Sequence, residues 1–141
     1  MLAHGSMKLE LETGPWNEAL TDDSIAVALG RLDGDQCSYA ILDHTEDTYL
    51  QTCGSPESGF VLEYQVDDLD HHYQSLRQDI PLTEVVTAFQ KYARGDASWQ
   101  RDYEWRKMEP MVLKPPQPRK VFFGIMVVLV ALVAVLRCFR E

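Results

Sequence analysis

The sequence has little cysteine and lacks the short motifs that mark common catalytic sites. Its 141 residues include three cysteines, at positions 37, 53 and 138, and no Cys-x-x-Cys pair. Three scattered cysteines are too few for a disulfide framework, and their spacing matches no familiar zinc pattern. Gly-x-Ser-x-Gly, a phosphate-binding glycine loop and His-Glu-x-x-His are also absent. The sequence therefore gives no support for catalysis, a bound metal or a cofactor.

Basic residues are scarce through most of the chain. Residues 7–108 contain 8 Lys and Arg against 20 Asp and Glu, a balance of −12, whereas residues 109–141 contain 5 basic and 2 acidic residues, a balance of +3. An acidic domain is poorly suited to binding nucleic acid or an anionic surface. Two interpretations remain open: the acidic surface binds a basic protein partner, or it serves solubility alone.

The amino terminus lacks the basic and apolar regions of a secretory signal peptide, and residues 1–6 are treated as a leader or a cloning remnant. The long apolar run lies at the other end, where residues 121–136 carry no charge, amide or hydroxyl. As a helix this run is about 24 Å long, against a hydrocarbon core of about 30 Å. Flanking arginine and lysine side chains can snorkel to make up the difference.

We predict that residues 121–139 form a single-pass membrane anchor. The run is apolar on every side, which argues against the alternative of a helix packed on protein through one stripe. Four prolines make residues 109–120 an expected extended spacer. With no signal peptide before the domain, the soluble part is expected to face the cytoplasm. The predicted lipid-facing residues are Val121, Phe122, Phe123, Val127, Leu129, Leu132 and Leu136.

Apolar periodicity in residues 7–108 predicts an α+β domain with a mainly antiparallel sheet and two helices on one face. Thr21 and Thr83 are the expected helix N-caps, and the second helix is expected to end at Gly95. Residues 97–107 fit a closing strand better than a helix. The other strands are predicted at 8–13, 37–42, 48–53, 60–66 and 71–76.

In the strand predicted at 60–66, successive side chains are expected to alternate between the face that packs on the helices and the opposite face. Phe60, Leu62, Tyr64 and Val66 should face one way, with Glu63 and its alternating neighbours on the other face.

Two clusters are candidate partner-binding residues. The first is the acidic run of Asp67, Asp68 and Asp70, which is followed by two histidines. Carboxylates and imidazoles together can bind a divalent ion, but adjacent strand residues point to opposite faces, which favours a solvated turn. The second cluster is Trp99, Tyr103 and Trp105. These rings either complete the core beneath the sheet or anchor a protein interface, and the sequence leaves both interpretations open.

Residues 48–65 and 82–105 together resemble a known family. A strand ending in a glycine turn, then Gly-Phe-Val-Leu-Glu-Tyr at 59–64, then a short helix closed by Gly-Asp-Ala-Ser-Trp at 95–99, resembles the small α+β immunity proteins of bacterial polymorphic toxin systems. The family numbered first among them is the most similar. The resemblance implies a cytoplasmic protein that binds and neutralises a cognate toxin without catalysis of its own. The proline spacer and the predicted anchor depart from the usual soluble members.

The expected function is therefore a membrane-tethered immunity or inhibitor protein whose acidic domain binds a basic toxin. The alternative is a tail-anchored adaptor that recruits a cytoplasmic protein to the membrane. Both functions expect a protein partner and a lipid bilayer, and neither expects nucleic acid.

Overall fold

The computed structural model describes residues 6–110, which form one antiparallel sheet with helices on one face. The predicted anchor, and the predicted spacer beyond Pro110, lie outside the described residues. The elements in chain order are β1 (Lys8–Leu11), β2 (Gly14–Pro15), α1 (Asp22–Leu29), β3 (Tyr39–Thr45), β4 (Thr48–Ser55), β5 (Gly59–Val66), β6 (Asp68–Ser75), α2 (Leu82–Ala93), a 3-10 helix (Ala97–Asp102) and β7 (Trp105–Lys107). The predicted α+β class and antiparallel sheet are confirmed.

The strands lie in the order β2-β1-β3-β4-β5-β6-β7, and every neighbouring pair is antiparallel. Because each strand reverses direction, the β3–β4 turn and the β5–β6 turn lie at the same end of the sheet. Several predicted strand boundaries were wrong: β1 ends at Leu11 instead of at position 13, β3 runs from Tyr39 to Thr45 instead of from 37 to 42, and β6 begins at Asp68 instead of at position 71. The polar residues at these ends favour turns by type, but Asp43, Thr45 and Asp68 pair with the neighbouring strands.

The core lies between the helices and one face of the sheet, called here the inner face. Strand residues Leu42, Leu50 and Leu62 share this core with Ile25 of α1 and Phe89 of α2. All five are at most 1 % exposed, and burying each contributes about 1.5–3 kcal/mol of hydrophobic stabilisation.

Within β5, the alternation predicted from the sequence is confirmed at Phe60 and Leu62, which are fully buried. At the far end of the strand, Val66 is 37 % exposed, because it adjoins the turn into β6.

Both helices begin close to the predicted positions, but only one has the predicted cap. Thr21 caps α1, accepting the Ser24 N–H while the Ser24 hydroxyl accepts the Thr21 N–H. Prediction of Thr83 as the cap of α2 was wrong, because the extended N-cap is Pro81, which has no side-chain hydrogen bond to the helix. Gly95 has a φ of +73° directly after the α2 C-cap, so the predicted glycine ending of this helix is correct.

The prediction of one strand through residues 97–107 was wrong for its first part. Residues Ala97–Asp102 form a 3-10 helix, which begins where the Asp96 carboxylate accepts the Ser98 N–H. This turn carries the Trp99 ring into the core, where it is 3 % exposed. Only the last three residues, Trp105–Lys107, form a strand, which pairs with the end of β6.

Candidate functional site

The first predicted cluster lies at the end of the sheet where two turns meet. The Asp67 N–H donates to Thr48 Oγ1 at 3.1 Å, and Gln65 Nε2 donates to the Asp47 carbonyl at 3.2 Å. These bonds hold the β5–β6 turn against the β3–β4 turn. The side chains gathered there, called here the acidic end, are Glu46, Asp47, Asp67, Asp68 and Asp70.

Local hydrogen bonds shape the acidic end. Asp67 has a φ of +64°, and Asp68 Oδ1 accepts the Asp70 N–H at 2.9 Å and lies 2.7 Å from His71 Nδ1. Hydrogen bonding to His71 and to the backbone lowers the pKa of the exposed Asp68 carboxyl. Residues 69–71 form a bulge with no partner on β5, because the register passes directly from His72 to Asp68. Leu69, within this bulge, is 51 % exposed.

The acidic end has no lysine or arginine paired with it in the described part of the chain. The ion pairs of Arg77 with Asp79 and Glu84, and of Lys91 with Asp102, lie on the helical side, as does that of Arg94 with Asp22. Within residues 6–110, the one basic side chain in contact with a carboxylate of the acidic end is His71, which lies against Asp68. Four of the five carboxylates form no ion pair within residues 6–110, so the acidic end presents a largely uncompensated negative field, which extends about 8 Å at physiological salt. Such a surface attracts basic groups.

The two histidines next to the acidic run do not converge. His71 lies against Asp68, whereas His72 Nε2 lies 3.2 Å from Glu63 on the opposite side of the hairpin. Within residues 6–110, no three His, Cys, Asp or Glu side chains are placed to hold a metal ion.

The second predicted cluster lies beneath the sheet. The ring of Trp99 contacts Tyr64, Tyr92 and Trp105 edge-on, with centroid separations of 5.1, 5.7 and 5.7 Å. Trp105 Nε1 donates to the Gln100 carbonyl at 2.7 Å and is half-buried. Trp99 therefore belongs to the core, in agreement with the first of the two interpretations, whereas Trp105 is only partly buried.

A shallow groove lies beside this aromatic cluster. Tyr103 is half-buried, its hydroxyl donates to the Glu84 carbonyl at 3.4 Å, and burial raises its pKa to about 12. The groove has a volume of about 310 Å³ and is lined by Thr83, Glu84, Thr87, Ala88, Asp102 and Tyr103. Both acidic side chains in the lining are held by cations, Glu84 by Arg77 and Asp102 by Lys91.

The two predicted clusters do not form one surface. Asp68 begins β6, and Trp105 pairs with Ser75, which ends it. Because residues 69–71 form a bulge, Asp68 and Ser75 lie opposite residues of β5 that are four apart, which corresponds to about 13 Å along the sheet. A partner that contacts both clusters would have to reach from the turns to the aromatic rings beneath the sheet.

Sequence reasoning missed a polar network on the sheet face that points away from the helices, called here the outer face. The Glu63 carboxylate accepts Gln51 Nε2 at 2.8 Å and Gln74 Nε2 at 2.7 Å, and it lies 3.2 Å from His72 Nε2. Gln74 Oε1 in turn accepts Arg106 at 2.7 Å. The alternation of β5 placed Glu63 on this face, but its partners come from β4 and β6, whose register the sequence did not specify.

Hydrogen bonding keeps this carboxylate ionised although it is buried. Desolvation by itself raises the pKa of Glu63, but the interactions with His72, Gln74 and Gln51 outweigh it and lower the pKa below 4.5, the ordinary value. Nearby, burial raises the pKa of Tyr49 to about 12, and its neutral hydroxyl donates to Gln65 Oε1 at 3.3 Å. The network is therefore an ionised carboxylate enclosed by hydrogen-bond donors.

Comparisons with protein-family models, with curated proteins and with solved structures found no match to this chain. The resemblance to immunity proteins stays a prediction from the sequence. Among residues 6–110, no helix is both long and apolar enough to cross a bilayer.

Proposed function

We propose that the protein is a membrane-tethered inhibitor of the immunity type, which binds a basic protein toxin through the acidic end of its sheet. The observation that carries this proposal is the concentration of negative charge there: five carboxylates lie on two adjoining turns and at the start of β6, and no described lysine or arginine forms an ion pair with them. Complementary charge accelerates the encounter of two proteins and orients them as they meet.

The acidic end also offers apolar contact area. Leu69 and Val66 are 51 % and 37 % exposed between the carboxylates. An apolar side chain within a charged rim is the usual arrangement of a protein interface, in which the buried centre supplies residence time and the rim supplies selectivity. The partner surface that fits has an apolar depression surrounded by lysine and arginine.

The experiment is a pull-down from the native cell with the full chain in detergent, at low and at high salt. One dominant basic partner, released by salt, supports the proposal. Several membrane-associated partners that are insensitive to salt would instead support the adaptor, whose function requires the tether. Deleting residues 121–141 separates the two further, because an inhibitor keeps its binding in solution whereas an adaptor loses its recruiting function.

A matched pair of triple variants then tests the surface itself. Glu46→Gln, Asp47→Asn and Asp70→Asn remove three charges from the acidic end, and these side chains make none of the described hydrogen bonds. The control removes the same charge from exposed positions elsewhere with Glu18→Gln, Asp35→Asn and Glu57→Gln.

We expect the association rate with the captured partner to fall about tenfold at low salt for the first triple and less than about twofold for the control. Equal effects of the two triples would mean that net charge, and not this surface, governs binding, and would refute the proposal.

A further inference from the structure

The outer face of the sheet is hydrogen-bonded and buried although it points away from the helices. Glu63, Gln65 and Gln74 are 5 %, 4 % and 8 % exposed. A sheet face in contact with water normally carries polar side chains that point into the solvent and need no protein partner. Here the polar side chains bond to one another instead, as they do in a covered layer.

The described helices do not provide this cover. Their buried residues, such as Ile25, Phe89 and Trp99, all belong to the core on the inner face. Within residues 6–110 the outer face therefore has no helix packed on it. Of the rest of the chain, 111–141 contains the long uncharged run at 121–136.

We propose that residues 121–136 pack across the outer face when no bilayer is present, and leave it when they insert into one. Part of this face suits an apolar segment, because the half-buried side chains of Tyr39 and Ile41 lie on β3 and that of Val61 lies on β5, on either side of β4. The polar centre suits it as well. Glu63 is already satisfied by protein donors, so covering it leaves no buried charge without a partner.

Chain lengths agree with this placement. The chain leaves the sheet at its β7 edge, where the Met108 N–H donates to the His72 carbonyl at 2.8 Å. The ten residues of 111–120 span at most about 33–36 Å when extended. From β7 to β1 the outer face measures five strand spacings, or about 24 Å, which equals the length of a 16-residue helix. The segment can therefore reach and cross the whole face.

The inference does not depend on the proposed partner, since the acidic end lies at the turns and not on the outer face. It gives the protein two states, one with the outer face covered in solution and one with it uncovered at a membrane. A run of about 24 Å is shorter than the hydrocarbon core, which weakens insertion and lets the sheet compete for the segment.

Photo-cross-linking within the full chain tests the proposal. A p-benzoylphenylalanine in place of Ile41 places the cross-linker on the outer face, and the same group in place of Val27, which is 58 % exposed on α1, is the control. Each protein is irradiated in detergent-free buffer and with saturating phosphatidylcholine vesicles, and the cross-linked peptides are mapped by mass spectrometry.

From position 41 we expect an intrachain cross-link to residues 121–136 in buffer, reduced at least fivefold by vesicles, and none from position 27. The absence of that cross-link in buffer, its replacement by a cross-link between two chains, or its persistence with vesicles would each overturn the proposal. Neither of the two cross-linking measurements involves a toxin. A negative result would therefore count against the packing of residues 121–136 and not against the proposed partner binding.

A charge placed beneath the segment gives a second test. Val61→Asp should weaken the packing and raise the vesicle-bound fraction at least threefold in sedimentation, whereas Val27→Asp should not. Tryptophan fluorescence establishes that both variants are folded. Equal partition of the two variants would also overturn the proposal.

Discussion

Replacing Glu63 with glutamine tests whether the outer-face network stabilises the domain. Glu63→Gln keeps the size of the side chain but turns one acceptor oxygen into an NH₂ donor. Since Gln51 and Gln74 donate to different oxygens of Glu63, the new NH₂ faces a donor in either orientation. A hydrogen bond to a charged group contributes about 1.5–3 kcal/mol, and a buried donor left without an acceptor costs about 1–3 kcal/mol.

From these terms we expect the free energy of unfolding at pH 7 to fall by about 3 kcal/mol, which lowers Tm by roughly 12–24 °C for a domain of this size. Urea titration followed by tryptophan fluorescence measures the change. All three tryptophans of the chain lie in the described domain, so the signal reports on it. Glu57→Gln, in the exposed β4–β5 turn, is the control and should change stability by less than about 0.5 kcal/mol.

The stability difference between wild type and Glu63→Gln should depend on pH. Because the folded pKa of Glu63 is below the ordinary 4.5, the unfolded chain takes up the proton first as pH falls. The stabilisation from the ionised carboxylate is therefore fully present above pH 4.5 and is lost as pH falls through the folded pKa. The difference between wild type and Glu63→Gln should shrink in that window. A loss below about 1 kcal/mol at pH 7, or a difference that does not shrink on acidification, would refute the reasoning.

Three further substitutions test the core, a helix cap and a turn, each measured by urea unfolding. Trp99→Ala should cost about 3–5 kcal/mol, because it empties the centre of the aromatic cluster; a much smaller loss would mean that the ring is not packed as described. Thr21→Ala should cost about 1 kcal/mol through loss of the α1 cap, and Thr21→Ser should restore most of it. Gly59→Ala should destabilise far more than Gly95→Ala. Both glycines have a positive φ, but a Cβ at position 59 would lie 2.5 Å from the backbone of Asp79, whereas a Cβ at position 95 would meet nothing within 4 Å. Equal losses of stability in the two variants would contradict the close contact with Asp79.

The sequence predicted the features that depend on local patterns. The inner face of β5, the Thr21 cap and the ending at Gly95 each follow from a few neighbouring residues, and all three are found. The start of α2 was misassigned because Thr83 is a good capping residue by type, while Pro81 fits the extended N-cap position through its fixed φ.

What the sequence could not predict depends on pairing between distant residues. The network around Glu63 requires the register of β4, β5, β6 and β7 to be known together. The acidic end likewise joins the 46–47 and 67–70 segments only because the two hairpins point the same way. Between 97 and 107, the alternation of aromatic residues resembled a strand, but the local bond from Asp96 and the burial of Trp99 favour a 3-10 turn.

The order of strands in this sheet also has a consequence for how the domain forms during synthesis. Each strand from β3 to β7 pairs with a strand that precedes it in the sequence. Its pairing partner has therefore already been synthesised when the strand itself is made. Nothing after Lys107 contributes a strand to the described sheet. Domains commonly fold as units in the order of synthesis. The sheet can therefore close on the ribosome before the apolar run at 121–136 emerges, so that segment meets a finished domain and not an unfolded chain.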